Sequence, residues 1–173
     1  MTDPVYAGTG SADDTRALAG AIADLVRPGD VLLLVGGLGA GKTTFAQGFA
    51  ARLGVDGPVT SPTFTLVRQY PCAVGQLLHA DLYRLDRLAE VADLALSELL
   101  DSDAEGAVAL VEWGDGAAAV LGPDALTVTL ARPADQDDDD LRTVVVSGGG
   151  AAWADRWVDL AAALSRWAPG GAR

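Results

Sequence analysis

A run of five aliphatic residues, Val31-Leu32-Leu33-Leu34-Val35, leads directly into Gly36-Gly37-Leu38-Gly39-Ala40-Gly41-Lys42-Thr43. The run has no polar side, the pattern of a strand buried on both faces. The eight residues after it match G-x-x-x-x-G-K-[ST] in full. Beyond Lys42, the stretch from Thr43 to Leu53 carries apolar positions at helical spacing and stops at Gly54. Strand, glycine loop and helix in that order predict an α/β fold with a phosphate-binding loop at the carboxyl end of a central strand.

Lys42 is the only lysine, whereas the chain has eleven arginines. A composition that uses Arg for positive charge keeps Lys where a planar guanidinium does not serve. A compact ammonium on a flexible stem fits beside a phosphate wrapped in backbone.

At 173 residues the chain suits one domain, residues 1–173, with a core that needs neither metal nor disulfide. Its aliphatic runs are too short to cross a bilayer. The start, Met1 to Tyr6, lacks a basic region followed by an apolar stretch, so a cytoplasmic location is expected. Cys72 is the single cysteine and reads as an incidental thiol, and no zinc site is expected. A net charge of −12 argues against binding nucleic acid unaided, so any nucleic acid is expected to be held by partners.

Ser11 before Ala12-Asp13-Asp14-Thr15 predicts a capped helix that reaches Val26 and is ended by Pro28-Gly29. Residues 64–70 and 76–80 predict a hairpin whose turn contains Pro71 and Gly75, and residues 90–100 a helix. Residues 107–111 form another buried-strand run, and residues 126–130 and 144–146 predict a second hairpin around an acidic turn at 137–140. Trp153, Trp157, Leu160, Leu164 and Trp167 fall on one stripe of a predicted amphipathic helix within residues 151–173. That stripe either packs on the protein's own sheet or docks a partner. The expected architecture is a three-layer, P-loop NTPase-like α/β fold with a mostly parallel central sheet, antiparallel hairpins and flanking helices.

In such a loop the backbone N–H groups of Gly39, Ala40, Gly41 and Lys42 face the phosphates. The loop opens at Gly36, Lys42 bridges the terminal phosphates, the Thr43 hydroxyl ligates Mg²⁺ and Thr44 contacts the inner phosphate. Asp81 and Glu112 each end a strand-like run, where ligands bind in open α/β sheets. They are candidate metal ligands or water-ordering carboxylates; each could also merely cap the next segment. The hydroxyl-rich stretch Thr60 to Thr65 is either a γ-phosphate-sensing switch or an ordinary turn. His79, the only histidine, reads as structural.

With these residues in place, the chain resembles the bacterial TsaE family, small P-loop ATPases of tRNA threonylcarbamoyladenosine (t6A) biosynthesis. The resemblance is carried by GGLGAGKTT at 36–44, SPTFTL at 61–66, HADLYRL at 79–85 and VEWGD at 111–115, with the helix start at 11–15. It implies a cytoplasmic, Mg²⁺-dependent ATPase that assists a metal-dependent transferase subunit and its paralogous scaffold, meeting tRNA only through them. It further implies that Thr43 and Glu112 contact Mg²⁺ directly or through water, and that Asp81 lies near the metal and the attacking water. Trp113 and the SPTFTL loop are implied to respond to nucleotide and partners, and the backbone near Ala12 to lie on the nucleoside side. Lys42, Asp81 and Glu112 thus form the expected catalytic set. Two positions depart from the family: Gly37 replaces an acidic residue, and Ala80 replaces Phe. Two other readings stand beside this one. A small-molecule kinase would need an arginine-bearing lid, for which Arg84 and Arg87 are the only close pair in the middle of the chain. A nucleotide-sensing adaptor would bind ATP without appreciable turnover.

Overall fold

A computed structural model describes residues 3–62, 67–82, 106–113, 122–134 and 140–169. Seven strands form one sheet: β1 (Val5–Thr9), β2 (Val31–Val35), β3 (Val67–Cys72), β4 (Gly75–Asp81), β5 (Ala107–Glu112), β6 (Leu126–Ala131) and β7 (Arg142–Gly148). Their spatial order is β1-β7-β6-β2-β5-β4-β3. The central strands β6, β2, β5 and β4 run parallel. The flanks are antiparallel, β3 on β4 at one edge and β7 with β1 at the other. The α/β class and the parallel centre with hairpin flanks therefore agree with the sequence.

The aliphatic run at 31–35 occupies the middle of this sheet because only a central strand can bury both faces. Leu32 and Leu34 point into one apolar cluster with α1 (Ala12–Ala23) and α2 (Lys42–Arg52), whereas Val31 and Leu33 join Leu78, Ala109 and Val111 in a second. The helix predicted over 90–100 lies outside the described residues. Among those described, no helix is long and apolar enough to cross a membrane.

Helix α1 begins as expected: the Ser11 side chain accepts a hydrogen bond from the Asp14 amide, and the Asp14 carboxylate accepts one from Gly10. It ends at Ala23, three residues before the predicted limit, in a tighter turn through Leu25 and Val26. Helices α1 and α2 meet at Gly48. A Cβ there would stand 2.4 Å from backbone atoms of Arg16, so the approach requires glycine.

Two sequence expectations need correction, and one strand had no counterpart among them. Pro71 and Gly75 are not in the turn of the first hairpin: they lie in β3 and β4, opposite Gln76 and Cys72, and the turn is Ala73-Val74. Strand β3 is a sheet edge, where a residue without an N–H is tolerated. Strand β1 was not foreseen; its pairing with β7 creates it. The C-terminal segment is two helices, α3 (Gly150–Ala154) and α4 (Trp157–Leu164), followed by a 3₁₀ turn (Ser165–Trp167).

The helical break at Asp155-Arg156 has a visible cause. Arg156 donates to both carboxylate oxygens of Asp30, at 2.6 and 2.9 Å, and to the Leu25 and Ala152 carbonyls, and both partners of the ion pair are buried. Trp153, Leu160, Leu164 and Trp167 are buried in the main core, and the Trp157 and Trp167 indoles donate to Asp3 and Asp14. The tryptophan stripe packs on the protein itself.

Candidate functional site

Three neighbouring strands end on one side of the sheet, at Val35, Glu112 and Asp81. Glu112 is in register with Leu34 on one side and with Asp81 on the other. The two carboxylates therefore stand side by side next to the loop that leaves β2. Both are buried, at 2% and 3% exposure, which for ionisable groups demands polar partners.

Those partners are visible. Ser61 Oγ donates to Asp81. His79 Nε2 hydrogen-bonds Glu112 Oε1 at 2.9 Å, with the ring fully buried. His79, read from the sequence as structural, is fully buried in β4 and positions the Glu112 carboxylate of the neighbouring strand. Its spacing of two from Asp81 along β4 puts both on one face of the strand, and that was the available signal.

The loop from Gly36 to Gly41 delivers Lys42 as the first residue of α2. Gly41 caps that helix in the left-handed conformation, with φ +103°, and, being glycine, makes no side-chain cap hydrogen bond. An N-terminus left open in this way is an anion site in waiting. Lys42 is buried, donates to the carbonyls of Gly36 at 2.7 Å and Gly37 at 2.9 Å, and lies 3.6 Å from the centre of the Trp113 ring. Trp113 has φ +61°, rare for a bulky residue and a local strain of the kind found at functional sites.

These groups surround one cavity of about 430 Å³. Its walls include Gly39, Ala40, Gly41, Lys42, Thr43, Thr44, Asp81 and Glu112, so eight expected site residues converge there. Gly36 contributes only its carbonyl, to Lys42. Ala12 does not line the cavity; it is exposed at the start of α1. Part of the SPTFTL loop, residues 63–66, lies outside the described residues, as do 83–85 of HADLYRL, 114–115 of VEWGD, Asp137 to Asp139, and the Arg84/Arg87 pair. A side chain at Gly37 would meet open space, so the departure there removes a group without reshaping the loop.

Arg142 is the wall residue the sequence missed. It opens β7 and donates from Nε to the Ala40 carbonyl at 3.0 Å and from Nη2 to the Gly39 carbonyl at 3.2 Å. It lies far along the chain from the glycine motif, so no local pattern marks it.

Chemically, the cavity offers the N-terminal end of a helix, an ammonium, three hydroxyls and two buried carboxylates. Among the described residues no three His, Cys, Asp or Glu converge on a metal position. Asp81, Glu112 and the Thr43 hydroxyl instead suit a hard cation that takes its remaining oxygens from water and phosphate, the mode of Mg²⁺. Cys72 takes no part: burial pushes its thiol above the usual range, which disfavours the reactive thiolate.

Comparison with known proteins bears on the family of the chain. Residues 9–141 match the family described as threonylcarbamoyl adenosine biosynthesis protein TsaE. A Streptomyces coelicolor protein described as tRNA threonylcarbamoyladenosine biosynthesis protein TsaE is 41% identical over 151 residues, covering 85% of this chain and 99% of its own. A Bacillus subtilis protein of the same description is 41% identical, covering 72% and 76%. The crystal structure of Bacillus subtilis YdiB superposes with a TM-score of 0.73 at 34% identity, over 96% of this chain and 97% of that one. The chain belongs to the TsaE family.

Proposed function

We propose that this protein is a Mg²⁺-dependent ATPase whose nucleotide cycle serves t6A modification of tRNA. The observation that carries the reading is the convergence on one cavity of Lys42 and Thr43 from the glycine loop with the register-paired carboxylates Asp81 and Glu112. Membership of a family named for threonylcarbamoyladenosine biosynthesis supplies the process.

In this reading the amides of Gly39, Gly41 and Lys42 cradle the phosphates, the Ala40 N–H being engaged by the Gly37 carbonyl, and Thr44 contacts the inner phosphate. Lys42 exchanges its carbonyl partners at Gly36 and Gly37 for the terminal phosphate oxygens. Thr43 and Glu112 hold the cation, and His79 fixes the Glu112 carboxylate. Asp81, steadied by Ser61, orients the attacking water. Mg²⁺ held there would supply electrostatic stabilisation of the charge that develops on the phosphates. Backbone near Ala12 flanks the nucleoside.

ATP hydrolysis drives or resets partner proteins, a transferase subunit and its paralogous scaffold, which hold the tRNA. The net charge of −12 supports indirect contact, since a polyanion would repel this chain on its own. The cytoplasm, where tRNA and ATP meet, is the proposed location.

Steady-state ATP turnover with the partners, measured beside nucleotide affinity, tests these roles. Lys42→Ala should lower turnover by two orders of magnitude or more, roughly the effect of removing one preorganised transition-state donor. Asp81→Ala and Glu112→Ala should reduce turnover far more than they weaken nucleotide binding. Unchanged turnover in Lys42→Ala rejects the site, and a pure binding defect in the carboxylate variants reverses their roles.

A further inference from the structure

We propose that Arg142 is a positioning residue for the phosphate cradle, fixing the peptide planes of the loop so that the Gly41 N–H is presented to a bound phosphate. The inference rests on reading the cavity as a nucleotide-phosphate site.

In a planar trans peptide the C=O of one residue and the N–H of the next point in opposite directions. A group that holds the Ala40 carbonyl therefore fixes the direction of the Gly41 N–H. Arg142 holds that carbonyl with Nε and the preceding one, of Gly39, with Nη2. The two amides so fixed differ in what they do. The Ala40 N–H is used inside the loop, donating to the Gly37 carbonyl at 3.2 Å. The Gly41 N–H makes no hydrogen bond within the loop and belongs to the N-cap of α2, on the cavity wall.

The loop needs such a restraint because of its glycines. Gly39 and Gly41 both have positive φ, +73° and +103°, and glycine occupies either sign of φ at little cost. The planes between them can therefore flip, and a flipped plane turns a carbonyl oxygen toward the phosphate in place of an N–H. Charge-assisted hydrogen bonds from a fork-shaped guanidinium oppose the flip at two consecutive carbonyls. The arginine is itself anchored. It begins β7, pairs in register with Thr9 of β1, and gives Nη1 to the Leu141 carbonyl at 2.7 Å. Strand β7 and the loop are thus joined by a side chain more than a hundred residues away from the loop in sequence.

The test uses ADP as the probe, with calorimetric affinity, thermal unfolding and the Gly41 amide ¹H–¹⁵N resonance measured for wild type, Arg142→Met and Arg142→Gln. The methionine variant should bind ADP about tenfold more weakly, with the Gly41 resonance of the ADP-free protein shifted or broadened. The glutamine variant keeps one donor and should fall between it and wild type; it carries the test alone if the methionine variant does not fold. Wild-type affinity in the variants overturns the inference. So does weaker binding with an unmoved Gly41 resonance, since Arg142 would then act on the phosphate by charge alone. A wild-type protein that does not bind ADP removes the nucleotide reading itself, which separates that failure from a failure of the role of Arg142.

Discussion

Three charged side chains at the cavity are held by neighbours. Glu112 is oriented by His79, Asp81 by Ser61, and Lys42 rests on the Gly36 and Gly37 carbonyls under the Trp113 ring. His79 allows the clearest single-residue test. His79→Leu removes the partner of a buried carboxylate and should cost about 1–3 kcal/mol of stability together with most ATP turnover. His79→Gln, which can still offer a terminal N–H toward Glu112, should recover a substantial part of the turnover. Thermal unfolding and turnover measured on both variants check this; equal losses in the two would reduce His79 to a packing residue.

At the scale of elements, two contacts decide how the helices sit on the sheet. The α1–α2 approach at Gly48 leaves no room for a methyl group, so Gly48→Ala should force the helices apart and destabilise by about 1–3 kcal/mol, the usual range for overpacking. The C-terminal helices are pinned by the buried Asp30–Arg156 pair, with Arg156 also 4.1 Å from the Trp153 ring centre. Removing one partner strands the other charge in the interior. Asp30→Ala should therefore lower stability by about 3–5 kcal/mol, read from chemical denaturation, whereas replacing both residues by apolar ones of similar volume should cost far less. A small effect of Asp30→Ala would mean that the C-terminal segment is held mainly by its tryptophans.

The same two contacts show where the sequence stopped being informative at the level of the whole molecule. The central strand, the loop and α2 were legible because their signals are local: an unbroken aliphatic run, glycines at fixed spacing, helical periodicity. Asp81 and Glu112 were legible because each ends a strand-like run. The break in the C-terminal helix was not, since its cause is an ion pair between residues 126 positions apart. Strand β1 was hidden because Val5-Tyr6-Ala7-Gly8-Thr9 is a short run broken by Ala7 and Gly8, and its strand state is fixed by pairing with β7. Arg142 was hidden for the same reason, as its role exists only once β7 is folded beside the glycine loop.

The assembled molecule joins one lysine, two register-paired carboxylates and an open helix end in a chain whose net charge disfavours tRNA by itself. The most direct test is multiple-turnover t6A formation on tRNA by the reconstituted partner proteins, with this protein omitted, restored as wild type, or restored as Lys42→Ala. Wild type should sustain repeated turnovers, while Lys42→Ala should leave product at the level seen without the protein. Equal restoration by Lys42→Ala would contradict the claim that this cavity's nucleotide chemistry serves the modification.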